Sequence, residues 1–251
     1  MKFKKVLCLM LALLMLTMCF AACGEEEKED NVLTMATNAE FPPFEYLENG
    51  EIVGADIEIA QAIADKLGMK LEISNIDFDA ALTGAATGKY DMAVAGITAN
   101  EERKKNMNFS DNYYTASQSI IVLADSDYKT VADLKGKTFA CQEGTTGEQY
   151  LIDEKYDAQS YKTGAEAVAA LTAGKVDAVV IDDAVARALS KKQDGKTVVL
   201  DEALTQEAYA IALKKGNNEL TKKINEALAE LKADGTLKKI FEKYELPYDA
   251  E

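Results

Sequence analysis

Arg103 carries a planar guanidinium fork that meets a carboxylate through two parallel N–H bonds. Thr98, five residues earlier at the end of an apolar run, offers a hydroxyl and a backbone N–H to the same kind of anion. Thr146 lies in Gly144-Thr145-Thr146-Gly147-Glu148, between a predicted strand around 139–141 and a predicted helix. Thr145 and Glu148 have capping-box spacing, and the unpaired N–H groups of a helix start bind anions, which makes Thr146 a second carboxylate donor. Asp182 is of the opposite kind. It follows a run of apolar residues, at the strand end where α/β proteins hold ligands. A carboxylate there is costly unless paired, and an ammonium group is a suitable partner. Gly96 has no side chain, so a ligand can approach closely and meet its carbonyl oxygen as another ammonium acceptor. Together these residues suit a zwitterion. Plainer alternatives stay open from residue type alone: Arg103 amid Glu101, Glu102, Lys104 and Lys105 also reads as a solvated charge run, and Asp182 beside Asp183 as a helix cap.

The elements that must position these residues alternate. From Val32 onward, short apolar runs and amphipathic helical stretches succeed one another, the pattern of an α/β protein. Asp56 to Leu67 places Ile57, Ala60, Ile63, Ala64 and Leu67 on one predicted helical face, stopped by Gly68. Thr163 and Glu166 predict a capping box for a helix carrying Val168 and Leu171 and ending at Gly174. A longer helix holds Leu220, Ile224, Leu228 and Leu231, and a short last one holds Leu237, Ile240, Phe241 and Tyr244. Gly88-Lys89-Tyr90-Asp91 leads into a strand expected over Met92–Ala95, and Gly174-Lys175-Val176-Asp177 into one over Ala178–Ile181. This weak repeat suggests two lobes of like architecture, each with strands buried on both faces of a parallel sheet.

The composition excludes several classes. The 251 residues are 48% hydrophobic and 28% charged, too apolar for a disordered chain and enough for two modest lobes. The formal charge is −15, and residues 23–251 carry −18 because the first 22 hold only Lys2, Lys4 and Lys5. Such a body repels phosphate backbones, so no nucleic-acid partner is expected. There is no histidine, which removes the commonest general base and metal ligand. Cys8, Cys19 and Cys23 crowd the N-terminus, and Cys141 alone cannot form an internal disulfide or a zinc site; it reads as a small buried residue in a strand. No metal, no cofactor and no catalytic residue is expected.

The N-terminus reads as an address. Lys2, Lys4 and Lys5 precede an apolar run over Val6–Phe20, too short to span a bilayer and suited to a secretory signal peptide. Phe20-Ala21-Ala22-Cys23-Gly24 resembles the lipobox of bacterial lipoproteins, with Phe20 where leucine is usual; Cys19, after the bulky Met18, is the poorer candidate. Residues 1–22 are thus expected to be removed, Cys23 to be lipidated, and 23–30 to form a charged tether.

Ala95-Gly96-Ile97-Thr98-Ala99-Asn100-Glu101-Glu102-Arg103-Lys104-Lys105, followed by Asn108-Phe109-Ser110-Asp111 and Tyr113-Tyr114, resembles the polar amino-acid-binding proteins of ABC importers. The likeness extends through Thr37-Asn38-Ala39-Glu40-Phe41-Pro42-Pro43-Phe44-Glu45, Gly54 to Glu58, Gly144 to Glu148, Asp177 to Asp182 and Gly235 to Tyr244, and so covers nearly all of 32–244. It implies two Rossmann-like α/β lobes joined by a two-strand hinge, the type II periplasmic-binding-protein arrangement. Lobe 1 is expected from 31–114 and 209–251, and lobe 2 from 115–208. It implies that Arg103, Thr98 and Thr146 hold the ligand carboxylate, and Gly96 and Asp182 its ammonium. Phe41 and Phe78 stand where the family places aromatic walls against the ligand side chain. Asn38 replaces a common aspartate, which weakens the case for cationic side chains; Glu40 could restore that charge, and Gln142 is a further contact. The implied protein is a monomer that captures a polar L-amino acid by lobe closure and passes it to permease subunits. It would be held by its lipid to the outer face of the cytoplasmic membrane. Two rivals share the fold: a dehydratase-like enzyme with Glu40 as its acid, and a sensory ligand-binding domain.

The N-terminal reading predicts that Cys23→Ser abolishes incorporation of radiolabelled fatty acid, whereas Cys19→Ser leaves it intact. Unchanged labelling of the Cys23 variant, or loss in the Cys19 variant alone, overturns it.

Overall fold

The computed structural model describes residues 31–248, so the expected signal peptide, the tether and Cys23 lie outside the described residues. Two five-stranded sheets organise the rest. The first runs in the order β5 (Lys70–Asn75), β1 (Val32–Thr37), β6 (Met92–Ala93), β15 (Ala212–Lys214), β7 (Met107–Phe109). The second runs β11 (Asp157–Tyr161), β10 (Thr138–Gln142), β12 (Ala178–Asp182), β9 (Gln118–Leu123), β13 (Thr197–Val199). In each, a central pair is parallel (β1 with β6, β10 with β12), and the next strand, β15 or β9, joins it antiparallel. The chain makes each parallel pair through helical crossovers. These are α1 (Ala55–Leu67) and α2 (Phe78–Thr87) around β5, and α4 (Thr146–Asp153) and α5 (Gly164–Thr172) around β11. Two lobes of one architecture result, as expected from the alternating pattern. Between α2 and α4 lies the short α3 (Glu101–Asn106); α6 (Asp183–Lys191), α7 (Asn218–Ala233) and α8 (Thr236–Lys243) complete the described helices.

The short repeat proves to be structural. Asp91 follows the turn after α2, and its Oδ2 accepts from the Thr34 N–H at 2.9 Å and the Thr34 hydroxyl at 2.6 Å. Asp177 follows the turn after α5, and its Oδ2 accepts from the Thr138 N–H at 2.9 Å. Each aspartate thereby fastens the start of a new strand to the parallel strand beside it.

Local expectations hold with instructive exceptions. The Thr163–Glu166 capping box closes α5, and Gly68 ends α1. The face of α1 differs: Asp56 and Ile59 are buried with Ala60, Ile63 and Ala64, while Ile57 and Leu67 are only partly covered. The helix is rotated because the Asp56 carboxylate is drawn inward, accepting from the Gly96 N–H at 2.8 Å and the Tyr113 hydroxyl at 2.9 Å. The strand expected over Met92–Ala95 is the two-residue β6, since the chain leaves the sheet to turn at Gly96. Thr145 forms half of its expected box. Its hydroxyl oxygen accepts from the Glu148 N–H at 3.3 Å, but the Glu148 carboxylate turns to the Gly144 N–H at 2.7 Å.

Two short strands carry the chain between the sheets. β8 (Tyr114–Ala116) and β14 (Glu207–Tyr209) pair antiparallel, Tyr114 opposite Tyr209 and Ala116 opposite Glu207. They are locked by aromatic packing: Phe44 meets Tyr114 and Tyr209 edge-on at ring distances of 4.9 and 5.1 Å, and Tyr114 lies 5.6 Å from Phe241. Such contacts add directional packing to the burial of large apolar rings. Phe44 belongs to the loop between β2 (Glu40–Phe41) and β3 (Glu45–Glu48), part of a small sheet completed by β4 (Glu51–Val53).

Gly54 ends that sheet and starts α1 at φ 133 and ψ 173, a region open essentially to glycine alone. A Cβ there would stand 2.0 Å from the Phe44 carbonyl oxygen. Gly54→Ala should therefore lose about 2–3 kcal/mol in urea unfolding. Gly50→Ala, at φ 87 with nothing within 4 Å, should lose about 1 kcal/mol. Equal losses would show that the Phe44 contact is irrelevant.

Candidate functional site

A cavity enclosing about 300 Å³ lies between the facing ends of the two sheets, at the small end of the range for small-molecule sites. Asn38, Phe41, Phe78, Gly96, Thr98, Arg103, Gln142, Thr146 and Asp182 all line it, together with Glu45, Ala95 and Thr145. Glu40 does not. It neighbours Phe41 on β2, and successive strand residues point to opposite faces, so Phe41 turns to the cavity and Glu40 away from it. The expectation that Glu40 restores an acidic side-chain contact, or serves as an acid, is corrected accordingly.

Arg103 is set by α3. Asn100 caps that helix, its Oδ1 accepting from the Arg103 N–H at 2.8 Å. The guanidinium donates from Nη1 to the Thr98 carbonyl and from Nη2 to the Gly144 carbonyl, each at 3.0 Å, and lies 5.5 Å from the centre of the Phe78 ring. It is no solvated member of a charge run. Burial lowers its pKa, and Glu207, Asp182 and Asp79 oppose that shift, so the cation stays. The rest of the fork faces the cavity that Thr98 and Thr146 share.

Asp182 ends β12 and occupies the N-cap position of α6, yet its side chain makes no cap bond. Instead it accepts from the Tyr209 hydroxyl at 2.5 Å and from Gln118 Nε2 at 2.9 Å. Burial first, and then the charge of Glu207, push its carboxyl up to about 7, against the pull of those two donors. Below it, burial and the neighbouring Asp56 hold Glu45 well above the ordinary carboxylate range. Asp56, raised to about 6 by burial, takes hydrogen bonds from Gly96, Tyr113 and Glu45. One end of the cavity thus collects buried carboxyl groups and the other a guanidinium.

Gly96 has φ 53, and a Cβ on it would lie 2.8 Å from the Phe41 ring, so the ring packs directly on its backbone. Asn38 is committed within the protein: Nδ2 donates to the Ile76 carbonyl at 3.1 Å and Oδ1 accepts from Gln142 Nε2 at 3.0 Å. Glu45 Oε2 and Gln142 Oε1 are buried without a hydrogen-bond partner among the described residues. Unpaired buried acceptors of this kind are costly, and a ligand bearing N–H groups satisfies them.

Sequence reasoning missed Glu45, Gln118, Tyr209 and Glu207. Glu45 stands inside a quoted motif, and its only signal was a carboxylate next to the apolar Phe44. The others act through partners 27 to 109 residues away, which no local pattern discloses. Cys141 is buried in β10, with its thiol pushed up to about 11 by burial, and does not line the cavity. Among the described residues no cluster of cysteine, aspartate or glutamate could hold a metal, and no helix is long and apolar enough to cross a membrane.

Comparison with known proteins agrees with this geometry. The arginine-binding extracellular protein ArtP of Bacillus subtilis is 35% identical over 246 residues, 94% of this chain and 96% of that protein. The glutamine-binding protein GlnH of an ABC transporter from the same organism is 32% identical, covering 96% and 97%. A solved structure described as an ancestral arginine-binding protein bound to glutamine superposes with a TM-score of 0.81 at 44% identity, covering 85% of this chain and 97% of that one. Residues 33–247 match a single family throughout, and the chain therefore belongs to the bacterial extracellular solute-binding proteins, family 3.

Proposed function

We propose that the chain captures one polar L-amino acid by closure of its two lobes and delivers it to the permease subunits of an ABC importer. The observation that carries this reading is the pair of opposite charges in one enclosed cavity. Arg103, with the N–H groups of Thr98 and Thr146, faces the α-carboxylate, and Asp182 with the Gly96 carbonyl faces the α-ammonium. Phe41 and Phe78 flank the side chain, and Gln142 offers it a free acceptor. The relatives' names include arginine and glutamine, both of which bring N–H donors to that acceptor. The lobes are 31–114 with 209–251, and 115–208, so that β8 and β14 form the hinge. Cys23 carries the lipid that keeps the monomer at the outer face of the cytoplasmic membrane.

A melting-temperature screen of the twenty amino acids and cystine should find one or a few polar L-amino acids that stabilise the protein. Ligand at 100 times its dissociation constant adds about 2.7 kcal/mol. Stabilisation by a sugar, peptide or phosphate in place of any amino acid overturns the reading. Arg103→Ala and Asp182→Ala should each weaken every accepted substrate by about 30- to 5,000-fold, with circular dichroism unchanged, since each strands a charge in a dry site. Binding at the parent level by either variant contradicts the assignment.

Acid should also weaken binding, with a definite sign. Asp182 ligand-free titrates at about 7, and the substrate ammonium favours its charged form, so binding expels a proton whenever the carboxyl is protonated. Affinity should fall between about pH 8 and about pH 5.5, with a slope approaching tenfold per unit at the acid end. Calorimetry in two buffers of different ionisation heat should report net proton release at the lower pH. A flat profile, or tighter binding in acid, rules out Asp182 as the ammonium acceptor.

A further inference from the structure

Glu207 lines the groove outside the cavity and not the cavity itself, yet it touches both threonines that the substrate carboxylate would meet. Its Oε2 accepts from the Thr98 hydroxyl at 2.5 Å and from the Thr146 hydroxyl at 2.8 Å, while Oε1 accepts from the Thr205 hydroxyl at 2.9 Å. Thr98 belongs to the segment that leaves β6 of the first sheet, and Thr146 opens α4 above the second. One oxygen atom therefore ties the two lobes together. Thr98 and Thr146 line both the enclosed cavity and the open groove of Asn100, Gln149 and Thr205, so they are the wall between the two spaces, with Glu207 on its outer side.

The chemistry of a carboxylate makes this arrangement directional. Ionised glutamate accepts hydrogen bonds and cannot donate, so both hydroxyl protons are committed to it. Toward the cavity the threonines then present backbone N–H groups, which none of these bonds consumes. The Thr146 hydroxyl oxygen also accepts from Gln118 Nε2 at 3.2 Å, and Gln118 Nε2 reaches Asp182. Tyr209, two residues after Glu207 on β14 and hence on the same face of the strand, donates to Asp182 as well. The hinge strand thus holds the carboxylate end of the site through Glu207 and the ammonium end through Tyr209.

We propose that Glu207 is a positioning residue that clasps the closed lobes at the carboxylate end of the cavity and sets the rate at which any bound amino acid escapes. The proposal rests on the amino-acid-binding reading above and adds to it a residue that touches no ligand. A clasp made on closure acts after encounter, so its loss appears in dissociation and not in association. It also acts equally on every substrate, because it lies on the side of the shared α-carboxylate and away from Phe41, Phe78 and Gln142.

Stopped-flow release of L-arginine and of L-glutamine is compared in the parent, Glu207→Ala, Glu207→Gln, Thr98→Val and the Thr98→Val/Glu207→Ala double variant. Glu207→Ala should speed release about 10- to 100-fold, as expected for losing hydrogen bonds to a charged group. The factor should be the same for each amino acid the parent binds, and association should change little. Glu207→Gln, whose amide oxygen still accepts, should fall between the two and serves in place of the alanine variant if that one folds poorly. The two single changes should be strongly non-additive in the double variant, since they break one contact. Parent-like release from both Glu207 variants, slower release, a loss confined to one substrate, or additivity in the cycle would each refute the clasp. If the parent binds no amino acid at all, the underlying reading falls and the clasp with it; a binding parent with unaffected Glu207 variants sinks the clasp alone.

Discussion

Asp182 is taken almost wholly out of water at the end of β12, and most of the surrounding structure answers the electrostatic problem this creates. A buried carboxylate must find donors, find a countercharge or take up a proton. Tyr209 and Gln118 supply donors from the hinge strand and from β9, but burial and the charge of Glu207 still lift its carboxyl to about 7. Arg103, the nearest fixed cation, is turned toward two backbone carbonyls at the other end of the cavity. The protein thus holds two opposite charges apart in a dry space where they cannot neutralise each other. A molecule with an ammonium and a carboxylate of its own completes both pairs at once.

Keeping those charges apart requires rigid mounts. Arg103 is fixed by a capped turn of helix and a ring below it, and Asp182 by a strand that is buried along its whole length. The repeated unit explains how one chain obtains two such mounts. In each lobe an aspartate after the helix–turn, Asp91 or Asp177, pins the neighbouring parallel strand by its backbone N–H. Strand ends from both sheets then converge on the same cleft, where α/β architecture places ligands. The hinge strands hold that convergence through aromatic packing of Phe44, Tyr114, Tyr209 and Phe241.

The sequence disclosed the α/β alternation, the two-lobe repeat and most cavity residues, for reasons that can be named. Helical and strand periodicity report which faces are buried, and a polar residue that closes an apolar run, as Asp182 and Thr98 do, stands out against that background. What stayed hidden depended on geometry that local patterns do not carry. The face of α1 was misjudged because Asp56, a charged residue, belongs inside with Ile59 once Gly96 and Tyr113 offer it hydrogen bonds. Glu40 was placed in the side-chain pocket on family position, and strand alternation turns it outward beside Phe41. Glu207 looked like a solvated residue before an apolar strand, since its partners Thr98 and Thr146 are 109 and 61 residues away. The choice between helix cap and ligand acceptor at Asp182 likewise needed the structure: the residue sits at the cap position and gives its oxygens to Tyr209 and Gln118 instead.

Closure and capture follow from the same electrostatics. Bringing the lobes together removes water from Asp182, Glu45 and Asp56, and each of these carboxyls responds with a raised pKa. Without a countercharge, closure therefore favours protonated acids and leaves Arg103 with no carboxylate in the cavity. A bound zwitterion reverses both penalties, because its ammonium lets Asp182 ionise and its carboxylate meets the guanidinium. Ligand binding must then favour the closed arrangement by its differential interaction with the two states, as any ligand-driven conformational change requires. Much of that differential sits in two charges shared by all α-amino acids, which leaves the choice among them to Phe41, Phe78, Asn38 and Gln142. Capture strength and substrate identity are thus assigned to different walls of one small cavity, and a change at Phe41 or Gln142 can alter preference without dismantling the mechanism that closes the lobes.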